Sequence, residues 1–345
     1  MSQTTYRGRR AAALENDSIR VVVLQEGGHI AAILDKDTGV NPLWTPPWPS
    51  MEPSAFGPQN HAEYGSDAES KLLAGIMGHN LCLDIFGGPS PEEAAAGISV
   101  HGEGSIAPYD ISIQGAALVM RARFPLAQMD FERRIELRDR TVLIHESVEN
   151  LSACDRPIAW TQHVTLGPPF LEKGVTQFRS SATRSKVIEA VFGTHDYLRT
   201  GAEFDWPLAP RADGRQADLQ VMNAEAASNA YTTHLMDPRR EDAFFVAFSP
   251  HSQLAFGYVW KQADFPWMGI WEENHSRTHV PWSGKTLTRG MEFGVSPMPE
   301  TRRQMITRGT LFGVPAYRWL PAKTRLHVDY RATISQAKQC PDFIG

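Results

Sequence analysis

The chain has 345 residues, of which 42% are hydrophobic and 21% charged, and its formal net charge is −5 at pH 7. This composition is typical of a soluble globular protein. The mild acidity argues against nucleic acid or an anionic membrane as a partner, because phosphate groups are bound by clustered Lys and Arg.

The cysteines and the N-terminus indicate the cellular compartment. Cys82, Cys154 and Cys340 lie far apart and show neither a zinc-binding spacing nor a disulfide framework. A reducing cytosol is therefore the expected location. Segment 1–14 carries positive charge but no apolar stretch, so no signal peptide is expected and we predict a poorly ordered or peripheral segment.

Short β-branched or aromatic runs, bounded by Gly, Pro, Asp or Asn, predict strands along most of the chain. The predicted strands are Ile19–Leu24, Ile30–Leu34, Ile111–Ile113, Ala117–Phe124, Phe131–Leu137, Thr141–Val148, Phe244–Phe248, Leu254–Trp260 and Thr324–Thr333. Apolar residues alternate in the run around Phe131, which predicts one buried face. Arg133 interrupts that face, and we expect it at the rim of a sheet.

Helical signals are few and cover Asp67–Ile76, Pro91–Ala96 and Ala224–Asn229. A parallel α/β fold needs crossover helices between its strands, and the sequence does not supply them. The pattern therefore predicts an all-β protein with sheets packed on sheets. The Pro-rich stretch Asn41–Pro58 predicts a long ordered loop, in which Trp44 and Trp48 either line a cleft or anchor the loop.

Three local contexts contain candidate catalytic residues, because no nucleotide-binding, serine-hydrolase or zincin motif is present. His101 lies between Val100 and Gly102 in a glycine-rich turn. His163 lies in a strand-like run before a Gly-Pro break, and Glu292 lies in an otherwise apolar strand. Each context taken alone also fits a structural role, since a histidine is more often hydrogen-bonded than catalytic.

The order of these contexts resembles the aldose 1-epimerase (galactose mutarotase-like) superfamily, of which the chain looks like an atypical bacterial-type member. The matching elements are an opening Gly-Gly-x-Ile strand, a His-Gly pair, an Asn-Leu-Ser turn before a histidine strand, and a late glutamate strand. They correspond to Gly27–Leu34, His101-Gly102, Asn150–Ser152 with His163, and Glu292 with Pro297. The resemblance covers roughly residues 15 to 335.

The resemblance implies a large antiparallel β-supersandwich with few short helices, formed as a single domain by residues 1–345. It also implies an isomerase that interconverts sugar anomers, with His163 as general acid, Glu292 as general base and His101 as a second histidine near the ring oxygen. This chemistry needs neither a metal nor a nucleotide, so no cofactor is expected. We expect a small-molecule sugar substrate and a monomer or homodimer.

The sequence departs from the superfamily pattern upstream of His101. Family members typically carry an Asn-Arg segment there, and the corresponding stretch Gly75–Cys82 contains no arginine. One interpretation is that His79 and Asn80 supply the polar contacts to the sugar. The alternative is that they form a structured turn.

A second candidate binding segment is Phe265–His275. Trp271 and Glu272 are proposed here as substrate-binding residues, because aromatic faces stack on sugar rings and carboxylates bind hydroxyls. Core packing is the alternative for the tryptophans. Glu272 could also join Glu273, His275 and His279 in a metal site, but one loop of this kind is weak evidence and no metal is predicted.

Three functions remain open from the sequence. The first is an aldose 1-epimerase, and the second is a catalytically silent carbohydrate-binding or sensing protein on the same fold. The third is a polysaccharide lyase or hydrolase, which would create new chain ends. A phosphorylated sugar would require arginines or lysines at the site, for which Arg277 and Arg289 are the candidates.

Overall fold

The computed structural model describes residues 2–344, which form mainly antiparallel β-strands. The strands are β1 (Ser2–Tyr6), β2 (Arg9–Glu15), β3 (Ile19–Leu24), β4 (Ile30–Asp35), β5 (His79–Asp84), β6 (Asp110–Gln114), β7 (Ala117–Phe124), β8 (Met129–Arg138), β9 (Thr141–Asn150), β10 (Arg156–Leu166), β11 (Gln177–Ser180), β12 (Ala182–Val187), β13 (Glu203–Asp205), β14 (Leu208–Pro210), β15 (Gln216–Asp218), β16 (Ser228–Met236), β17 (Asp242–Ser249), β18 (Leu254–Lys261), β19 (Trp267–Asn274), β20 (Leu287–Gly294), β21 (Thr310–Leu311), β22 (Val314–Pro315), β23 (Arg318–Leu320) and β24 (Arg325–Gln336). The α-helices are α1 (Ser70–Gly75), α2 (Pro91–Ala95) and α3 (Arg302–Arg308).

Two large sheets contain most of these strands. A twelve-stranded sheet has the order β1-β2-β3-β4-β5-β10-β20-β19-β16-β12-β13, with β23 also paired to β10. An eight-stranded sheet has the order β11-β17-β18-β24-β9-β8-β7-β6. This is the all-β supersandwich that the sequence predicted.

The main hydrophobic core lies between the two sheets. It combines Trp160 and Phe293 of the larger sheet with Ile144 and Phe256 of the smaller one. Side chains alternate between the faces of a strand, so β10 directs Trp160 into this core while His163 points to the opposite face. A second cluster, which includes Trp44, Trp271 and Trp282, covers that opposite face.

Arg133 lies inside the protein, and the expectation of a rim position was wrong. Its side chain and that of Glu146 are both fully buried, and Arg133 Nε lies 2.6 Å from Glu146 Oε1. Arg133 also donates to the carbonyl of Gly28. A buried guanidinium is tolerated when a carboxylate and hydrogen bonds compensate for its lost hydration.

The structure confirms the predicted strands, with boundaries that differ by at most three residues. Two helices also occur where the sequence predicted them, and α2 is stabilised by a capping box between Ser90 and Glu93. The helix predicted for Ala224–Asn229 was wrong, because Ser228 already begins β16, whose pairing with β19 overrides the local preference. Helix α3 was not predicted.

Residues of segment 1–14 form β1 and most of β2 at the edge of the larger sheet, which is a peripheral position. Arg9 is buried there and donates to the carbonyl of Glu26. The loop Asn41–Pro58 is irregular as predicted, and Trp44 and Trp48 pack edge to face within it. Their packing fits the anchor interpretation.

None of the helices described in residues 2–344 is long and apolar enough to cross a membrane. The three cysteines carry no disulfide, and Cys154 is exposed.

Candidate active site

Strands β10 and β20 bring His163 and Glu292 together. The two residues are directly opposite in the antiparallel ladder, so their side chains leave the sheet on the same face. His163 Nε2 lies 3.0 Å from Glu292 Oε1. A Cβ atom at Gly290 would lie 2.5 Å from the same carboxylate oxygen, so glycine at this position leaves room for the Glu292 side chain.

His101 reaches the same place from the turn that follows α2. The turn folds back on β5 through a hydrogen bond from the Leu83 amide to the His101 carbonyl. A Cβ atom at Gly102 would lie 2.2 Å from the Leu83 carbonyl oxygen, and φ of Gly102 is 80°. Glycine is therefore required at position 102 for the close approach of this turn to the backbone of β5. The ring centroids of His101 and His163 are 5.0 Å apart.

Burial makes the His101 ring neutral, and one hydrogen bond determines its tautomer. Burial, reinforced by the neighbouring His163, lowers the pKa of His101 to about 3. The ring is therefore neutral at neutral pH, and its Nδ1, 2.6 Å from the Phe86 carbonyl oxygen, carries the proton and donates it. Nε2 is left as a hydrogen-bond acceptor. On His163, Nδ1 lies 3.0 Å from Thr165 Oγ1, which orients that ring.

These three side chains line a cavity of ≈ 320 Å³ on the face of the larger sheet that points away from the smaller one. This volume lies at the lower end of the range for small-molecule sites. Most of the other lining side chains are apolar or aromatic: Leu73, Ile76, Phe86, Val100, Ile188, Phe192, Tyr231, Trp271, Trp282 and Pro299. The remaining charged lining residues are Glu69 and Arg277.

Two indole N–H groups in the cavity wall lack a protein acceptor. Trp271 and Trp282 are nearly fully buried, and neither Nε1 finds a hydrogen-bond partner among the residues that the structure describes. Buried donors are normally paired, so these two unpaired donors beside the cavity are candidates for hydrogen bonds to a bound ligand. Trp271 was predicted as a site residue, whereas Trp282 was not.

His79 and Asn80 lie outside the cavity lining. His79 is fully buried between the sheets, where its ring nitrogens lie 3.0 Å from Tyr258 Oη and 2.9 Å from Gln162 Oε1. Asn80 shares a face with His163, but its Nδ2 donates to Ser105 Oγ beneath the His101 turn. Their contacts are those of structural residues.

Glu272 and Trp271 are adjacent on β19 and point to opposite faces of the sheet. Glu272 accepts a hydrogen bond from Tyr197 Oη, 2.7 Å away, and lies 3.5 Å from Arg289 Nη1 in the protein interior. Glu273 returns to the cavity side, where it accepts the backbone amides of Ser276 and Arg277.

The alternative of a metal site in this segment finds no geometric support. Glu272 and Glu273 lie on opposite faces, and His275 Nδ1 donates to the carbonyl of Gly284. Within residues 2–344, no group of three or more His, Cys, Asp or Glu side chains is arranged to hold a metal ion.

Sequence reasoning missed the charged pair at the cavity mouth, Glu69 and Arg277. Glu69 precedes α1, and Arg277 follows β19, so nothing in their local sequences links them. The sequence offered Arg277 as a candidate for binding a phosphorylated sugar but could not place it in the fold. In the structure, its guanidinium carbon lies 4.6 Å from the Trp282 ring centroid. Arg289, the other candidate, is buried away from the cavity and donates to the Leu219 carbonyl.

Comparison with known proteins places this geometry in a fold class. No protein-family model matches the sequence, and no curated protein matches it significantly. Solved structures do match. A candidate aldose 1-epimerase from Klebsiella pneumoniae gives a TM-score of 0.66 at 11% identity, covering 96% of this chain and 80% of that one.

Two further structures match over nearly their whole lengths. A candidate aldose 1-epimerase from Escherichia coli gives a TM-score of 0.62 at 12% identity, covering 94% of this chain and 99% of that one. A galactose mutarotase-related enzyme from Lactobacillus acidophilus gives 0.59 at 13% identity, covering 96% and 99%. The chain therefore has the galactose mutarotase-like fold, as its motif order predicted. At such identities the likeness concerns the fold alone.

Proposed function

We propose that this protein is a cofactor-independent aldose 1-epimerase that interconverts the anomers of a sugar. The observation that supports this most is the contact between His163 Nε2 and Glu292 Oε1, 3.0 Å apart in a cavity lined by apolar and aromatic side chains. The reaction requires one proton to leave the anomeric hydroxyl and another to reach the ring oxygen. Both oxygens are bonded to the same anomeric carbon, so an adjacent base and acid fit the task.

In the proposed mechanism, the Glu292 carboxylate accepts the proton of the anomeric hydroxyl. His163, protonated on Nε2, donates its proton to the ring oxygen as the bond between that oxygen and the anomeric carbon breaks. The product is an open-chain aldehyde. Rotation about the bond between the first two carbons then exposes the other face of the carbonyl, and reclosure returns each proton to its starting group.

His101 and Trp271 serve as binding groups in this proposal. The lone pair on His101 Nε2 accepts a hydrogen bond from a sugar hydroxyl, because its Nδ1–H is occupied by Phe86. The Trp271 ring, 5.8 Å from His163 between centroids, offers an apolar face and an N–H donor beside the catalytic pair. Such a combination of flat surface and polar edge suits a pyranose ring.

The experiment that tests this function follows anomer interconversion by polarimetry or NMR for a panel of aldoses. We expect acceleration over the uncatalysed rate for at least one sugar. His163→Ala and Glu292→Gln should each remove most of it. If the wild type accelerates none of the sugars, or if both variants keep full activity, the proposal fails.

A second candidate function is a carbohydrate-binding or sensing protein without turnover. It is favoured by the lack of an arginine in Gly75–Cys82, where superfamily members typically grip the sugar. Binding of a sugar, detected by NMR, with no change in its rate of anomer interconversion would support this function over the epimerase.

We also propose a cytoplasmic location, a small-molecule sugar as ligand and a monomeric or homodimeric state, without nucleic-acid or membrane partners. The mild net negative charge and the unpaired cysteines support this proposal. Fractionation and light scattering test the location and the assembly.

A further inference from the structure

Arg277 is the cavity-lining cation, and two carboxylates flank it. Its Nη1 lies 3.9 Å from Glu69 Oε1, and its Nε lies 3.5 Å from Glu273 Oε2. Its guanidinium also stacks over Trp282. The charge of Arg277 is thus compensated before any ligand binds.

The formal charges around the cavity sum to a negative value. Glu69 and Glu292 in the lining, with Glu273 directly behind Arg277, carry three negative charges, against the positive charges of Arg277 and of His163 in the protonated form that the mechanism requires. His101 adds no positive charge at neutral pH because burial depresses its pKa. An anionic ligand would meet net repulsion in a partly desolvated site, where electrostatic interactions are stronger than in water.

We propose that the cavity selects neutral aldoses over anionic ones, and that Glu69 is the specificity residue that keeps Arg277 from binding a sugar carboxylate. This inference rests on the proposed sugar-binding function of the site. Arg277 then acts as a hydrogen-bond donor to neutral hydroxyls, with its orientation maintained by the two glutamates and the indole ring of Trp282.

Glu69 is the better of the two glutamates for testing the proposal. Its side chain is 33% exposed, and although Glu69 is the N-cap residue of α1, its side chain makes no capping hydrogen bond. Its charge can therefore be removed without uncapping the helix. Glu273 is 1% exposed and accepts two backbone amides, so its replacement would also disturb the chain after β19.

The test measures binding separately from turnover. Methyl galactopyranoside and methyl galactopyranosiduronate cannot mutarotate, and their dissociation constants are measured by calorimetry or NMR on the full chain. We expect the wild type to bind the neutral glycoside at least about tenfold more tightly, because like charges repel in the cavity. Glu69→Gln should strengthen uronate binding about two- to fivefold, as expected for one partly exposed charge, and should change binding of the neutral glycoside less, because Glu273 and Trp282 still orient Arg277.

Glu63→Gln is the matched control, since it makes the same change in net charge at an exposed position outside the cavity lining. It should leave both dissociation constants unchanged. Equal binding of the two glycosides by the wild type would overturn the proposal, as would an identical response of the two variants or no binding of either glycoside. Failure of the epimerase function is distinguishable, because it appears as unchanged anomer interconversion of free sugars.

Discussion

Gln162 and His163 are neighbours on β10, but their side chains lie on opposite faces of the sheet and in different polar environments. Gln162 faces the space between the sheets, where its Nε2 donates to Glu146 Oε2 over 2.7 Å. Glu146 also accepts hydrogen bonds from Trp160, Arg133 and Tyr330. This interior network, defined by Arg133, Glu146, Trp160, Gln162 and Tyr330, is fully buried or nearly so.

The cavity face of β10 also has polar groups nearby, but not all of them are paired within the protein. His163 and Glu292 contact each other there, while Trp271 and Trp282 present N–H groups that no described protein atom accepts. Closed buried networks stabilise a fold, whereas incompletely paired groups leave hydrogen-bonding capacity for a ligand. Adjacent residues of β10 therefore serve different purposes, because one face of the strand contributes to stability and the other to the candidate site.

The largest expected effect is a loss of activity without a matching loss of stability, and it comes from replacing Glu292 on the cavity face. Glu292→Gln should lower kcat/KM for anomer interconversion by about 10²–10⁴-fold, since the amide cannot act as a general base. Its free energy of unfolding in urea should remain within about 1 kcal/mol of wild type, as for most substitutions outside a closed network. A stability loss that matches the activity loss would show that Glu292 stabilises the fold as much as it serves catalysis.

The glutamate of the interior network should behave in the opposite way. Glu146→Gln leaves the Arg133 guanidinium buried without its counter-charge, and we expect about 3–5 kcal/mol of destabilisation in urea unfolding. The folded protein should keep its kcat/KM. The double variant Arg133→Met/Glu146→Leu removes both charges and should recover most of the stability; equal losses in single and double variants would contradict this reading.

Acid should destabilise the protein through two buried histidines, His29 and His234. Burial, with a further contribution from nearby arginines, lowers the pKa of both His29 and His234 to about 3. Between about pH 6.5 and 3, the unfolded chain binds protons at these residues while the folded protein does not, so stability falls as pH decreases.

Urea unfolding at pH 7.5 and 5.5 measures this effect, and we expect a loss of about 1 kcal/mol per histidine at the lower pH. His234→Gln should reduce the difference between the two pH values. If the variant shows the wild-type difference, His234 does not contribute to it.

The smallest expected effects come from one indole N–H on each face. Trp271→Phe keeps an aromatic surface but removes the cavity donor, and should raise KM about two- to tenfold, as expected for one hydrogen bond. Trp160→Phe removes the donor to Glu146 and should lower stability by about 1 kcal/mol with KM unchanged. The reverse assignment of these effects would show that the two faces are not divided as described.

The sequence predicted the fold well because strand signals are local. Alternating patterns such as that in β8, and short apolar runs such as β3, report burial directly. The helix expected at Ala224–Asn229 failed because pairing of β16 with β19 is a long-range interaction. Helix α3 escaped prediction although Thr301 and Gln304 form a capping box at its start.

For the candidate site, alternation explains why Glu272 and His79 do not reach the cavity. Adjacent strand residues point to opposite faces, so Trp271 and Glu272 could not both line one cavity. The same rule separates His79 from Asn80 on β5. Because side chains alternate along a strand, the sequence alone could have shown that the two members of each candidate pair do not line the same cavity.

The sequence by itself determined nine of the strands, the glycine-rich turn at His101 and the order of the three catalytic candidates, because each depends on neighbouring residues. Only the tertiary structure decided that His163 and Glu292 are directly opposite, and that Glu69 meets Arg277 at the cavity mouth. Those pairings depend on the register of strands far apart in the chain and on the packing of loops over them. No local pattern encodes either relation.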